Sequence, residues 1–209
     1  MSNTNPCRAV LRYPGSKWRL AQHLCEYIPE HHSYLEPYFG SGAVFFTKPP
    51  STIETINDLD MDVVNLFSHL RSNPNKLAAM IYATPYARYI YDQQFIKHTY
   101  EDPYEKALSF LIKCWMGHGY RTNGYKVGWK NDVQGREHAY SLLNWQKLPA
   151  WVLQAAERLK PAQIESMPAT DLIKRFDYEN VFMYIDPPYV LSTRTGKQYK
   201  HEMTDKDHM

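Results

Sequence analysis

Short apolar runs alternate with glycine turns and helical periodicity in the first third of the chain. Residues 33–46 predict a strand, a glycine-rich turn and a helix, and residues 52–60 predict a second strand that ends in acidic side chains. One helix is expected before them, over residues 18–28, and another after them, over residues 61–72. Strand, glycine turn, helix and strand in this order are typical of a parallel α/β sheet.

The middle of the chain, residues 73–160, has mainly helical periodicity. Its best-marked helix covers residues 103–117, because Asp102 is a suitable N-cap and Pro103 suits the first helical position. Residues 118–130 contain two aromatic-rich runs around an Asn-Gly pair, which predicts a hairpin. The helical pattern then continues to residue 160, and we expect Pro149 to interrupt it.

The sheet pattern returns near the C-terminus, with predicted strands over residues 163–167 and 181–186 and a short helix over 171–175 between them. We therefore expect a discontinuous α/β domain and an inserted helical domain. Their predicted bounds are residues 1–72 with 161–209, and 73–160. Thr204 and Asp207 have the spacing of a helix start, and the chain ends at Met209 just as this element begins. The sheet is expected to lack its C-terminal strands.

The overall composition is that of a globular protein, with 44% hydrophobic and 22% charged residues. A net charge of +2 means that any attraction to nucleic acid must come from a local patch. Three widely separated cysteines favour neither a disulfide framework nor a metal site. Neither a membrane span nor a signal peptide is predicted, so we expect a cytoplasmic protein. We also expect it to be a monomer.

The ends of the first two predicted strands carry residues suited to a ligand. Gly40 and Gly42 follow the first strand and allow a ligand to approach the backbone closely, and Glu36 beside them favours a ligand with a cationic centre. Asp58 ends the second strand, where an acid can accept hydrogen bonds from both ribose hydroxyls. A tight turn without a ligand, and an N-cap at Asp58, are the structural alternatives, although Asp60 is the better cap candidate.

The last predicted strand runs into an Asp-Pro-Pro-Tyr corner at residues 186–189. The carboxylate of Asp186 and the carbonyl of Pro187 can accept the two protons of an exocyclic amine, since proline offers no N–H. Tyr189 can stack on the heterocycle that carries this amine. Holding both N–H bonds frees the nitrogen lone pair to attack a methyl group in line. A rigid turn without a function is the alternative interpretation.

Four motifs occur in a characteristic order: "RYPGSK" (12–17), "EPYFGSG" (36–42), "INDLD" (56–60) and "DPPY" (186–189). Together they resemble the motifs of the Dam-type, class D12 N6-adenine DNA methyltransferases, over nearly the whole chain. The resemblance implies a Rossmann-like sheet that binds S-adenosylmethionine, with an inserted target-recognition domain.

The resemblance also implies roles for individual residues. Tyr13 and Lys17 would hold the methionine end of the cofactor, Asp58 the ribose, and Asp186 would lie between cofactor and target base. The weaker match at Asp171 and Leu172 implies contacts with the cofactor adenine. Tyr13 departs from the pattern, because many relatives have tryptophan there.

The predicted hairpin lies in a basic, aromatic-rich segment. Residues 113–136 contain five basic side chains and one acid, a net charge of +4, and both tyrosines and tryptophans. Such a mixture suits phosphate contacts and base stacking, and "RTNG" also resembles the recognition hairpin of the family. The predicted DNA-contacting residues are Arg121, Asn123, Tyr125, Lys126 and Lys130. An exposed hairpin with ordinary surface charges is the alternative.

These inferences lead to one principal hypothesis, methyl transfer from S-adenosylmethionine to adenine N6 in double-stranded DNA after base flipping, without a metal. Two alternatives stay open. One is methylation of RNA or another planar amine, such as a glutamine amide. The other is a catalytically inactive, truncated DNA-binding remnant. A cognate restriction endonuclease is kept open as a partner, and the recognition sequence does not follow from the sequence.

Overall fold

The fold is built on a four-stranded parallel sheet with the strand order β3-β2-β1-β4. The computed structural model describes residues 7–96, 99–131, 141–193 and 196–208. The strands are β1 (Ser33–Glu36), β2 (Ile53–Asn57), β3 (Gln163–Glu165) and β4 (Val181–Met183). The chain winds from β1 through β2 to β3 and then returns to the other side of β1. Ligands of open α/β sheets bind at such a switch point, here the carboxyl ends of β1 and β4.

Eight α-helices surround this sheet in the described part of the chain. They are α1 (Ala21–Cys25), α2 (Ala43–Thr47), α3 (Met61–Ser72), α4 (Pro74–Ala83), α5 (Arg88–Gln93), α6 (Pro103–Met116), α7 (Ser141–Leu159) and α8 (Ala169–Arg175). Short 3₁₀ helices lie at Leu191–Thr193 and Asp205–His208. Among the described residues, none of the helices is long and apolar enough to cross a bilayer.

Local capping determines where the best-predicted helices begin. The Asp60 carboxylate accepts a hydrogen bond from the Asp62 amide at 3.0 Å at the start of α3, and Asp102 accepts one from Tyr104 at 2.9 Å at the start of α6. Near the C-terminus, the amide of Thr204 donates to the Asp207 carboxylate at 2.7 Å, so an element does begin there. A polar side chain at the N-cap satisfies amides that have no partner within the helix.

Two helix predictions were wrong. The helix expected over residues 18–28 is only Ala21–Cys25, because no side chain caps its first turn and Pro29 disfavours helical geometry at the residue before it. The interruption expected at Pro149 does not occur, since α7 runs through it. Leu148 and Val152 on either side are fully buried, and this packing outweighs the backbone hydrogen bond that proline removes.

The strand predictions ran too far at their carboxyl ends. β4 ends at Met183 rather than at residue 186, although the Tyr184 amide still donates to Leu35 O at 2.9 Å. β3 ends at Glu165, because the Met167 amide donates to the Asn57 side chain at 2.9 Å instead of continuing the ladder. The hairpin predicted over residues 118–130 is closed at its base by one antiparallel bridge, and its described residues form no regular strands.

A hydrophobic cluster joins the sheet to the helices of the middle segment. It includes Tyr34 of the sheet, Leu66 of α3, Leu111 and Trp115 of α6, and many side chains of α7. The buried Trp115 indole also donates to Val10 O at 2.8 Å, across more than a hundred residues of sequence. The predicted insert over residues 73–160 therefore shares core contacts with the sheet, and the division of the chain into two domains stays a prediction.

Candidate cofactor pocket and active site

A cavity of about 340 Å³ lies at the carboxyl ends of β1 and β4. Eight predicted site residues line it: Tyr13, Lys17, Glu36, Gly40, Asp58, Asp186, Pro187 and Tyr189. They come from four separate motifs, and the parallel sheet brings them together because its strand ends meet at one edge. The Asp-Pro-Pro-Tyr corner therefore faces the same space as the glycine turn.

The glycine turn after β1, which contains Gly40 and Gly42, is hydrogen-bonded to the residue that follows β2. The Gly40 amide donates to Asp58 Oδ2 at 2.7 Å, and the Asp60 amide donates to Asp58 Oδ1 at 2.8 Å. Gly40 has a φ of +48°, a backbone conformation that other residues rarely adopt, and an added Cβ would lie 3.1 Å from the Tyr13 ring, which would have to shift slightly. Burial raises the pKa of Asp58 to about 6, against the effect of these amides.

Glu36 ends β1 with a side chain that water hardly reaches, at 2% exposure. The Tyr34 hydroxyl donates to its Oε2 at 2.9 Å. Burial raises the pKa of Glu36 to about 8, because a carboxylate loses its hydration inside the protein. A cavity lined by the buried carboxyl of Glu36 and the half-buried carboxyl of Asp58 favours a ligand that carries positive charge.

The N-terminal motif and the Asp-Pro-Pro-Tyr corner are in direct contact. The Lys17 ammonium lies 2.6 Å from Asp186 Oδ2 and 2.9 Å from Gly15 O. It also lies 4.8 Å from the centre of the Tyr189 ring, within cation–π distance. Burial alone would lower the pKa of Lys17, but hydrogen bonds to Asp186 and Tyr189 outweigh it, and the pKa is raised.

Tyr13 links the N-terminal motif to the start of α3. Its hydroxyl donates to Asp60 Oδ2 at 3.1 Å, and burial raises the pKa of the phenol, so it stays protonated. Ser16 and Ser41 form a second connection through their hydroxyls, which are 2.9 Å apart. The N-terminal motif is therefore held against both the glycine turn and α3.

The predicted DNA-contacting residues lie on a neighbouring loop. The exposed guanidinium of Arg121 lies 5.5 Å from the centre of the Tyr125 ring, and Lys126 forms an ion pair with Asp92 at 2.8 Å. The side-chain amide of Asn123 donates to Lys197 O at 3.0 Å. The backbone amide of Lys130 closes the base of the loop through Met116 O at 2.6 Å. Asp132 and Arg136, which were counted in the net charge of residues 113–136, lie outside the described residues.

A second cleft of about 560 Å³ separates this loop from the first cavity. Arg12, Arg121 and Lys130 contribute positive charge to its lining. Tyr13 and Pro14 line both spaces and form the wall between them. The geometry thus provides an acidic cavity and, beside it, a basic cleft.

Comparison with known proteins agrees with this arrangement. A family model described as "D12 class N6 adenine-specific DNA methyltransferase" matches residues 13–209. The chain belongs to this family. The expected Rossmann-like α/β class is thereby confirmed at the level of a parallel sheet consistent with a methyltransferase fold.

The similarity to curated relatives extends over different shares of this D12 family member and of each relative. The DNA adenine methylase of Salmonella typhi is 26% identical over 194 residues, which is 90% of this chain and 67% of the relative. The DNA N-6-adenine-methyltransferase of Escherichia phage P1 is 26% identical over 111 residues, 50% of this chain and 14% of that protein. The Type II methyltransferase M1.LlaDCHI of Lactococcus lactis is 29% identical over 75 residues, 35% and 26% of the two chains. The chain thus covers less than half the length of the last two.

Three residues that the sequence assigned to the cofactor do not line the cavity. Leu172 is buried in the protein interior, and Asp171 is exposed in the first turn of α8. Gly42 is the buried N-cap of α2, with a φ of +64°. The preceding residues 168–170 line the cavity instead. The cofactor contacts implied for Asp171 and Leu172 therefore gain no support from the cavity.

Sequence reasoning missed two contributors to the site. Residues of the C-terminal segment line the cavity: Tyr199, His201, Glu202, Met203 and Asp207. Asn57 fixes the strand ends, because its side-chain amide donates to Pro37 O at 2.9 Å and to Met167 O at 3.0 Å. Asn57 lies directly before Asp58, and its position at a buried strand end is a signal that could have identified it. No comparable signal marks the C-terminal segment.

Proposed function

We propose that this protein transfers a methyl group from S-adenosylmethionine to the N6 amine of adenine in DNA. The observation that carries the proposal is the contact between Lys17 and Asp186 in a cavity that the glycine turn after β1 also lines. Membership of the D12 family supports the same reaction.

The cavity fits the cofactor in charge and in size. Its volume of about 340 Å³ falls within the usual range for small-molecule sites. Lys17 would bind the carboxylate of the methionine end, and Asp58 would bind the ribose, since each of its oxygens can accept a second hydrogen bond. Glu36, whose pKa of about 8 keeps it protonated at neutral pH, would ionise beside the cationic ligand, and Gly40 lines the cavity without a side chain. The bound cofactor supplies an electrophilic methyl group on a sulfonium.

The corner would hold the target nitrogen. Adenine must leave the base stack first, at a cost of a few kcal/mol. Asp186 would accept one N6–H and the Pro187 carbonyl the other, while Tyr189 stacks on the base. These contacts free the nitrogen lone pair, and Asp186 holds the N–H whose proton leaves once the new bond has formed. The contribution of the protein is then mainly positioning and electrostatics.

The loop that carries Arg121 would bind the duplex beside this corner. Arginine pairs well with guanine and asparagine with adenine, so Arg121 and Asn123 are the proposed base readers. The Asn123 amide would exchange its bond to Lys197 O for one to a base. Tyr125, Lys126 and Lys130 would add stacking and phosphate contacts. A restriction endonuclease partner stays a prediction.

The proposal is tested by replacing the carboxylate at the corner. Asp186→Ala should lower tritium transfer from labelled cofactor to DNA by at least about 100-fold, because it removes an interaction made with the reacting amine. Binding to the duplex should persist. Asp177→Asn is the matched control, since this exposed acid lies outside both cavities and should methylate as the wild type does.

Three results would contradict the proposal. Full turnover in Asp186→Ala would show that the corner does not hold the amine. Labelling of RNA or protein in preference to DNA would favour another planar amine as the substrate. Absence of labelling in the wild type, with duplex binding retained, would favour an inactive DNA-binding remnant.

A further inference from the structure

Thr122 differs from its neighbours in the DNA-contacting loop, residues 118–130. It lies between Arg121 and Asn123, both of them exposed, yet Thr122 as a whole residue is only 7% exposed. A buried hydroxyl in a loop without regular strands requires partners, and the structure provides them.

The partners of Thr122 belong to the C-terminal segment. The Thr122 amide donates to Gln198 O at 2.9 Å, and the Lys200 amide donates to the Thr122 hydroxyl oxygen at 2.7 Å. The hydroxyl itself donates to Gln198 O at 3.3 Å. Thr122 therefore joins the loop to the C-terminal segment, whose Tyr199 and His201 line the cofactor cavity.

The segment on the other side of this junction is itself well ordered by hydrogen bonds. The Glu202 carboxylate accepts from the amides of Gln198 at 2.7 Å and Tyr199 at 2.9 Å. The Tyr199 ring centre lies 6.2 Å from that of Tyr13, and its hydroxyl lies close to Gly15. A ligand in the cavity would thus touch residues that are one or two positions from the bonds to Thr122.

We propose that Thr122 is a positioning residue that couples occupancy of the cofactor cavity to the conformation of the DNA-contacting loop. This inference rests on the proposed function, since it assumes that the cavity binds the cofactor and the loop binds DNA. A ligand that restrains Tyr199 also restrains its neighbours Gln198 and Lys200, which bond to Thr122. The restraint passes from Thr122 to the adjacent Arg121 and Asn123. Bound cofactor then tightens DNA binding by some factor. Because linkage is reciprocal, bound DNA tightens cofactor binding by the same factor.

The first test measures this factor at equilibrium. The affinity for S-adenosylhomocysteine, an unreactive product of the donor, is determined by calorimetry with and without a duplex that the wild type methylates. We expect the duplex to tighten binding on the order of 10-fold in the wild type. Thr122→Val removes the hydroxyl at nearly constant volume, and the factor should fall toward one.

Two variants serve as controls. Thr122→Ser keeps the hydroxyl and should retain the coupling. Thr84→Val removes a comparable threonine hydroxyl whose bond, to Met80 O at 2.7 Å, lies in the helical segment before the loop, and it should also retain the coupling. A factor that stays unchanged in Thr122→Val, or a factor of one in the wild type, overturns the inference.

A second measurement needs no variant and no DNA. Hydrogen exchange of the wild type should slow at the amides of Thr122 and Lys200 when S-adenosylhomocysteine is added. Unchanged exchange at both amides would also overturn the inference. These outcomes are distinct from failure of the proposed function, because a wild type that methylates DNA but shows neither effect loses only the coupling.

Discussion

Two carboxyl groups at the ends of neighbouring strands give the site its electrostatic character. Glu36 and Asp58 lie in the same cavity, and burial raises the pKa of each, to about 8 and about 6. Raised values at a cavity are typical of functional sites, because a protein seldom buries carboxyl groups without a use for them. A cationic ligand would favour their charged forms and so would bind more tightly as pH rises.

The first prediction concerns the pH dependence that Glu36 gives to stability. Between pH 4.5, its ordinary pKa, and about 8, the folded state keeps a proton that the unfolded state has lost. The free energy of unfolding should therefore fall as pH rises through this window, by up to about 1.4 kcal/mol per pH unit. Glu36→Gln has no proton to lose, and urea unfolding from pH 5 to 9 should show the slope reduced in this variant.

The matched control is Glu179→Gln, an exposed glutamate just before β4, which should leave the slope as in the wild type. Equal slopes for the wild type and Glu36→Gln would mean that Glu36 is ionised in the folded protein throughout this range.

Among the elements, a cluster of buried charges ties β2 to two helices. Glu54 of β2 pairs with Lys48, which follows α2, at 2.6 Å, and Arg158 of α7 lies 2.8 Å from the same carboxylate oxygen. Arg158 also donates to Phe45 O of α2 at 2.9 Å. Although burial opposes it, hydrogen bonds from Arg158 and Lys48 lower the pKa of Glu54. The cluster holds α2, and with it the glycine turn, against the sheet.

The second prediction is that Glu54→Gln lowers the free energy of unfolding by about 3–5 kcal/mol, because it leaves two cations without their shared carboxylate in the interior. The midpoint of urea unfolding measures this loss. Glu157→Gln is the control, since Glu157 is the exposed neighbour of Arg158 in α7 and should change stability little. A loss below about 1 kcal/mol would mean that water reaches the cluster.

At the scale of the whole molecule, a shared core holds an acidic cavity beside a basic cleft. The net charge of +2 is small, so under the proposed function the attraction to DNA would come from the basic cleft and its loop rather than from the protein as a whole. The cavity needs residues from both ends of the chain, since Lys17 and Asp186 are 169 positions apart. Ligand binding there should therefore stabilise the folded protein globally.

The third prediction is a thermal shift. S-adenosylhomocysteine at 100 times its dissociation constant should stabilise the protein by about 2.7 kcal/mol, provided that it binds only the folded form. For a chain of this size each kcal/mol raises the unfolding midpoint by about 2–4 °C. Asp58→Ala should lose most of the shift at the same concentration, whereas Asp177→Asn should keep it. No shift at millimolar ligand would favour the inactive remnant.

The sequence alone determined the features that depend on neighbours along the chain. Asp60 and Asp102 mark helix starts because a cap acts within three residues, and the glycine turn follows β1 for the same local reason. The order of the four motifs was enough to predict the family that the match over residues 13–209 confirms. At Pro149 the local rule predicted a break in the helix, but α7 continues through this residue because its neighbours are packed in the core.

Only the tertiary structure decided which residues surround the cavity. Thr122 lies beside Gln198 and Lys200, far away in sequence, and no local pattern distinguishes it from an ordinary loop threonine. Likewise, Leu172 matched a family segment, yet its side chain is buried away from the cavity. The physical reason is that burial and hydrogen bonding depend on distance in space, which the chain fixes only when the sheet brings its strand ends together.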